Sequence, residues 1–175
     1  MEYRFCPFDA GPLVRRALKA GEPPRLVCER CQQVFWLDPK VAAGTIFTVE
    51  GRIALVKRAI EPARGRWVFP GGFVDRGEVV ADAAVRETWE EARVRVRIDH
   101  VLGVYSYPDR PVIIVYAATL TEGTPFPGDE TLEVGLFAPD AIPWDELAFP
   151  STREALRDYL ARYFPEVAQR SGGLP

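Results

Sequence analysis

Imidazole is nearly absent from this 175-residue chain, whose one histidine is His100. Charge-relay chemistry of the Ser-His-Asp kind has little to draw on, with only three serines beside that single ring. His100 follows Asp99 and reads as a structural or surface residue at a strand junction. Cysteine is also scarce, at three residues. An odd count argues against a disulfide framework and suits a reducing compartment. No apolar run approaches the roughly 20 residues that cross a bilayer, and MEYRFCPFD lacks the basic-then-apolar layout of a signal peptide. The expectation is a cytoplasmic chain with no membrane partner. An excess of positive charge is missing as well. With a net charge of −3 and a pI near 5.3, nucleic acid is not an expected partner. A nucleotide substrate stays open, because a metal ion can neutralise phosphates locally.

What is present suits a globular protein: 47% hydrophobic and 27% charged residues. The length allows one domain with a sizeable core and a small appendage. The expected division is a cysteine-containing segment over 1–37, a main domain over 38–165 and a frayed tail over 166–175. Val41 to Val49 and Arg52 to Lys57 read as a hairpin turning at Glu50-Gly51. Trp67 to Phe69, Val94 to Ile98, Val101 to Tyr107, Val112 to Leu120 and Leu132 to Phe137 read as further strands. The run Val112 to Tyr116 lacks polar alternation and should be central. Ala141 to Leu147 reads as a short helical turn. A last helix should run to about Phe164, capped by Ser151 or Thr152, with Glu154 in its first turn.

One stretch organises the rest. After Pro70-Gly71-Gly72, a helix is expected from near Gly77-Glu78 to Ala92. It places Glu87, Glu90 and Glu91 at i, i+3 and i+4 on one face. On a helical wheel Ala81, Ala84, Val85, Thr88, Trp89 and Ala92 fall on the opposite, buried arc. Like charges at this spacing repel by a few tenths of a kcal/mol per pair. A hard divalent cation would compensate them, and a solvated acidic face is the plain alternative. Gly71 and Gly72 let the backbone approach a ligand closely. Arg58, Arg64 and Arg66, just upstream, could hold a diphosphate or be ordinary surface charge.

The flanks of that helix follow G-x5-E-x7-R-E-U-x-E-E-x-G-U, with U an aliphatic-type residue. Gly72, Glu78, Arg86, Glu87, Thr88, Glu90, Glu91 and Val94 occupy its positions in register, so the stretch resembles the Nudix box. Arg93 departs, standing where the pattern has the glycine that ends the helix. The resemblance covers roughly residues 40 to 160. It implies an α/β/α sandwich around a mixed sheet and hydrolysis of a pyrophosphate bond in a nucleoside diphosphate joined to another group. It also implies Mg²⁺ or Mn²⁺ held by Glu87, Glu90 and Glu91, and a homodimer. Glu78 and Arg86 would pair to hold the preceding loop. Many members add a carboxylate from outside the box; Glu130 is the first choice here and Glu133 the second. The substrate-binding candidates are Arg58, Arg66, Gly71, Gly72 and Tyr107, with Trp67, Phe73 and Tyr105 as further rings that could stack on a base or sit in the core.

The opening segment carries Cys6-Pro-Phe-Asp9 and Cys28-Glu-Arg-Cys31, which resembles a zinc ribbon of the C-x2-C…C-x2-C type with Asp9 in the second ligand place. Both a Cys3Asp zinc site and a metal-free remnant fit this pattern. Together with RAIEPARGRWVFPGG, RETWEEA and FPGDETLEVGLFAPDAIPWDELAF, the segment is similar to the Nudix subgroup that cleaves FAD or ADP-ribose. The S-Q-P-W-P-F-P-x-S element of the NADH pyrophosphatases is missing after the box, which ranks NADH lower. A Nudix-fold sensor that binds nucleotides without cleaving them is the reading from a different class.

Overall fold

The computed structural model describes residues Tyr3 to Arg170. They fall into two compact units that divide between Asp38 and Pro39. The first is a three-stranded antiparallel sheet of β1 (Leu13–Arg16), β2 (Arg25–Cys28) and β3 (Val34–Phe35), with β2 in the middle.

The second unit contains β4 (Val41–Ile46), β5 (Thr48–Val49), β6 (Arg52–Arg58), β7 (Trp67–Val68) and β8 (Gly71–Phe73). Then follow α1 (Val80–Ala92), β9 (Arg95–Tyr105), β10 (Val112–Glu122), β11 (Thr131–Phe137), a 3-10 turn (Trp144–Glu146), α2 (Pro150–Tyr163) and α3 (Pro165–Arg170). One sheet has the order β8-β4-β10-β9 and is mixed, because β10 runs parallel to β4 and antiparallel to β9. The other is antiparallel, β11-β6-β5, with β7 also paired to β6. Alternation along β10 sorts its side chains between two helices. Val115 and Ala117 pack with Ala155 and Leu156 of α2, whereas Tyr116 packs with Ala83 and Ala84 of α1. Helices on both sides of the mixed sheet give the expected α/β/α sandwich, with the unalternating Val112 to Tyr116 run on its second central strand. Among the described residues no helix is long and apolar enough to cross a membrane.

Several local expectations need correction. The stretch Val41 to Val49 is not one hairpin strand. It breaks at Phe47, so β4 pairs with β10 and only Thr48–Val49 turns back along β6. Ile46 and Phe47 are both fully buried but belong to different core clusters, and that change of sheet leaves no mark in composition. The two strands expected either side of Asp99-His100 are a single β9, whose pairing with β10 absorbs three register shifts. Neither Ser151 nor Thr152 caps α2. Phe149 is the cap and Pro150 takes the first helical position, where its fixed φ suits a helix start, so both hydroxyl residues are buried in the first turn and Glu154 lies beyond it. The tail is ordered as α3 through Arg170, with Glu166 and Arg170 complementing the helix dipole; residues 171–175 lie outside the described residues.

The turn that feeds α1 sits flush on β4. Thr45 N–H donates to Pro70 O at 3.0 Å. A Cβ on Gly71 would lie 2.6 Å from Gly44 Cα, and one on Gly44 would lie 2.6 Å from Pro70 O. Gly44→Ala should therefore destabilise the domain by about 1–3 kcal/mol in urea unfolding. An unchanged midpoint would show that the two strands do not need this approach.

Candidate functional site

Helix α1 is seated by small residues. Ala83, Ala84, Thr88 and Ala92 are buried, and Thr88 Oγ1 lies 2.7 Å from Thr45 Oγ1 on β4. Such close packing leaves no room for an indole, so Trp89, expected on the buried arc, is 44% exposed. The helix is thereby rotated so that part of its acidic side meets protein: Glu91 is only 7% exposed, which departs from the solvated face that is the plain alternative, whereas Glu90 stays partly exposed.

The glycine turn meets these carboxylates through backbone alone. Glu91 Oε2 accepts the Gly71 N–H at 2.9 Å. A Cβ on Gly72 would lie 2.5 Å from Glu87 Cδ, so only glycine admits the Glu87 carboxylate there. Arg86 braces the other side. Its Nε and Nη2 donate to Glu78 Oε1 and Oε2 at 2.7 and 2.9 Å, the fork expected to fix the loop. Its Nη1 also bridges Glu87 Oε1 at 2.8 Å and Glu90 Oε2 at 2.9 Å, and Nη2 reaches Phe73 O at 3.1 Å. Sequence spacing indicated the Glu78 pair but not this second bridge.

Charge follows from the packing. Arg86 holds Glu78 down to about 2. Burial raises Glu87 above the ordinary carboxylate range despite the pull of Arg86. Burial pushes Glu91 up to about 7, the Gly71 N–H and the Arg58 charge opposing and Glu87 and Glu130 reinforcing the rise. Arg58 and Glu130 thus lie close enough for their charges to act on the buried cluster. They are tied together as well, since Thr131 pairs with Arg58 in register and Ala59 N–H donates to Glu130 O at 2.8 Å.

Glu130 arrives on a loop, residues 123–130, that closes the end of α1. Phe126 N–H donates to Ala92 O and Gly128 N–H to Glu91 O, each at 3.0 Å. A Cβ on Gly128 would clash with Glu90 O, so the glycine is required. The glycines of this loop are the signal a sequence offers for a close approach, but nothing in the sequence names the helix end as its target. Other candidates go elsewhere. Glu133 pairs with Lys57 at 3.4 Å. Arg66 donates to Asp145 O at 2.7 Å. Tyr107 packs beside α2 with the core that holds Tyr105 and Trp67, and Tyr105 donates to Asp158 at 2.7 Å. Of the rings named for stacking, Phe73 is the exposed one beside the glycine turn, with Lys40 Nζ 4.6 Å over it.

A second cluster lies in the first unit. Ligand atoms of Cys6, Asp9, Cys28 and Cys31 all fall within 4.8 Å of one another. Cys6 Sγ and Cys31 Sγ are 3.8 Å apart, and Cys28 Sγ is 3.3 Å from Asp9 Oδ1. The amides of Arg30 and Cys31 both donate to Cys28 Sγ at 3.4 Å. The residues after Asp9 and Cys31, Ala10 and Gln32, take left-handed φ values of 56° and 61°, so the two turns are built alike. The Gln33 amide favours the Cys31 thiolate, but desolvation and the neighbouring Cys28, Cys6 and Asp9 prevail and push this thiol up to about 11. Asp9 is held below the ordinary range by the Gly11 N–H. A cation would offset the cost of the Cys31 thiolate, and Asp9 already stands ionised beside it.

A half-buried set of carboxylates on a helix, fed by a glycine turn in an α/β/α sandwich, defines a class of metal-assisted phosphoanhydride hydrolases. The NUDIX domain family matches residues 38–160, and the chain belongs to that family. Its members open pyrophosphate bonds in nucleoside diphosphate derivatives and generally use divalent metal ions. An ADP-ribose pyrophosphatase of Methanocaldococcus jannaschii is 35% identical over 130 residues, covering 71% of this chain and 75% of its own. The NAD-capped RNA hydrolase NudC of Chromobacterium violaceum is 31% identical over 144 residues, covering 81% of this chain and 52% of its own. A crystal structure of a Nudix hydrolase from Nitrosomonas europaea superposes with a TM-score of 0.84 at 37% identity, covering 99% of this chain and 95% of that one.

Glu91 sets a pH dependence. A carboxyl whose proton is held from near 4.5 up to about 7 on folding destabilises the folded chain as pH rises through that window. Metal-free Glu91→Gln should match the wild type below about pH 4.5 and melt several degrees higher above pH 7, at roughly 2–4 °C per kcal/mol for a chain this size. Equal melting temperatures at pH 8 would mean that the Glu91 carboxyl is ionised without cost.

Proposed function

We propose that this chain hydrolyses ADP-ribose first and FAD second, releasing AMP with ribose 5-phosphate or FMN. The observation that carries the reading is the meeting of Glu87, Glu90 and Glu91 with the charges of Glu130 and Arg58 at the Gly71-Gly72 turn. The all-oxygen donor set fits a hard cation. Burial leaves Glu87 and Glu91 with proton affinities that a positive charge would offset, and Arg86 engages one oxygen each of Glu87 and Glu90. Glu87, Glu90, Glu91 and Glu130 would hold Mg²⁺ or Mn²⁺. Such an ion supplies charge neutralisation at the diphosphate and a more acidic water.

The chain's own residues do the rest. Arg58, whose Nε donates to Pro62 O at 2.9 Å and whose guanidinium carbon lies 5.2 Å over the Phe149 ring, would lend its positive charge to the diphosphate. Glu91 or Glu87, each raised above the ordinary carboxylate range by burial, takes a proton from the attacking water. Gly71 and Gly72 let the phosphates come against backbone, and Phe73 offers a face for adenine. ADP-ribose leads because a relative 35% identical over most of both chains is named for it. The NAD-capped RNA hydrolase is matched over only about half of its length, and the S-Q-P-W-P-F-P-x-S element of the NADH pyrophosphatases is missing after the box here.

With Mg²⁺ and a panel of ADP-ribose, FAD, NADH, diadenosine polyphosphates and nucleoside triphosphates, AMP should appear fastest from ADP-ribose. Glu91→Gln should lower kcat on the order of 10²-fold or more. Tight binding of one panel member with AMP from none would favour a nucleotide sensor instead.

We further propose that Cys6, Asp9, Cys28 and Cys31 hold a structural Zn²⁺. The 3.8 Å sulfur separation equals the edge of a tetrahedron with Zn–S near 2.3 Å, about 3.8 Å. Protein prepared without chelator should carry about one zinc per chain, and Cys28→Ser should lose it while ADP-ribose turnover persists. Zinc well below one per chain by metal analysis would mark the segment as a metal-free remnant.

A further inference from the structure

Arg93 occupies the place where the family pattern ends its helix with glycine. Its φ of 54° and ψ of 31° lie in the left-handed region, which costs a residue with a side chain. Glycine would relieve that strain, so the side chain is where to look for compensation. Arg93 Nη2 donates to Asp129 Oδ1 at 3.0 Å, and its guanidinium carbon stands 4.8 Å over the Trp89 ring. Asp129 is 93% exposed, so this ion pair adds little to stability. It does sit one residue before Glu130. The same loop is already tied to the helix end through Phe126 and Gly128, while Ala59 N–H holds Glu130 O from the opposite side.

We propose that Arg93 is a positioning residue: by holding Asp129 against the end of α1, it fixes the Glu130 carboxylate where it faces Glu87 and Glu91. This rests on the reading that these glutamates share a divalent cation. A contact worth little in stability can still matter here, because a displaced ligand weakens a metal site far more than it weakens a fold. Stability and function should therefore respond to Arg93 in opposite directions.

The decisive variant restores the family's own residue. Arg93→Gly should leave the metal-free melting temperature unchanged or higher, since strain is removed. It should weaken Mn²⁺ binding, read by titration calorimetry, about tenfold. On ADP-ribose it should lower kcat about tenfold with KM within about twofold. Asp129→Asn should reproduce these losses, Arg93→Lys should recover part of them, and Arg93→Gly should add nothing in a Glu130→Gln background. Wild-type Mn²⁺ affinity in Arg93→Gly would overturn the proposal, as would a further loss on top of Glu130→Gln or an unchanged affinity in Glu130→Gln itself. Should no panel nucleotide be cleaved while Arg93→Gly still loses Mn²⁺ affinity, the latch is upheld and the substrate assignment is what fails.

Discussion

Crowding of carboxylates against backbone is the constraint from which the main domain's arrangement follows. Glu87 and Glu91 project from α1 into a corner where Gly71 supplies one N–H and Gly72 supplies only room. Ionised carboxylates in such a place are costly unless paired or hydrogen-bonded. Arg86 offsets part of that cost by serving Glu78, Glu87 and Glu90 at once, and its own proton is held more tightly as a result. The bracing is deliberately incomplete. Were every carboxylate oxygen paired to arginine, the corner would be stable and inert; with burial unbalanced at Glu91, a cation bound there, as proposed, would offset the remaining cost.

That corner exists only because backbones approach more closely than side chains allow. Gly44 against Gly71 brings the turn onto β4, Gly72 admits Glu87, and Gly128 lets the distal loop lie on the carbonyls of Glu90 and Glu91. Each approach removes a degree of freedom from a charged group. The threonine pair Thr45 and Thr88 completes the seating, since a larger residue at either place would lift α1 from the sheet. Rigidity here is thus a matter of small residues placed under large charges.

Much of this was legible in the sequence, because the Nudix box names residue types at fixed spacing. The glycine turn, the Glu78 to Arg86 fork, the central place of Val112 to Tyr116 and the acidic helix all follow from local pattern. What eluded the sequence depends on tertiary seating. A helical wheel weighs Trp89 as apolar and buries it, yet the fit of Thr88 on Thr45 excludes it and turns Glu91 inward. The break at Phe47 is a change of sheet between two equally apolar neighbours, and no periodicity reports it. The helix end meeting residues 123–130 is a contact across some 35 positions, set by shape and by backbone carbonyls that carry no residue identity. Arg66 is a candidate by nearness along the chain and Tyr107 as a ring that could stack on a base, and the fold turns the one onto Asp145 and packs the other beside the α2 core.

The chain also keeps two kinds of donor apart. The side-chain donors that the glutamate corner could offer an ion are all oxygens, whereas three sulfurs and one carboxylate converge in the first unit. Softness decides what each could hold: thiolates select zinc over magnesium, and a corner of carboxylates suits a hard ion that keeps some of its waters. Asp9 moderates the first site without reversing its preference, because Cys6, Cys28 and Cys31 still supply the majority of donors and two amides still point at Cys28 Sγ. As proposed, zinc in the first unit and a hard ion in the second would be sorted by ligand chemistry, so neither ion would compete for the other's donors.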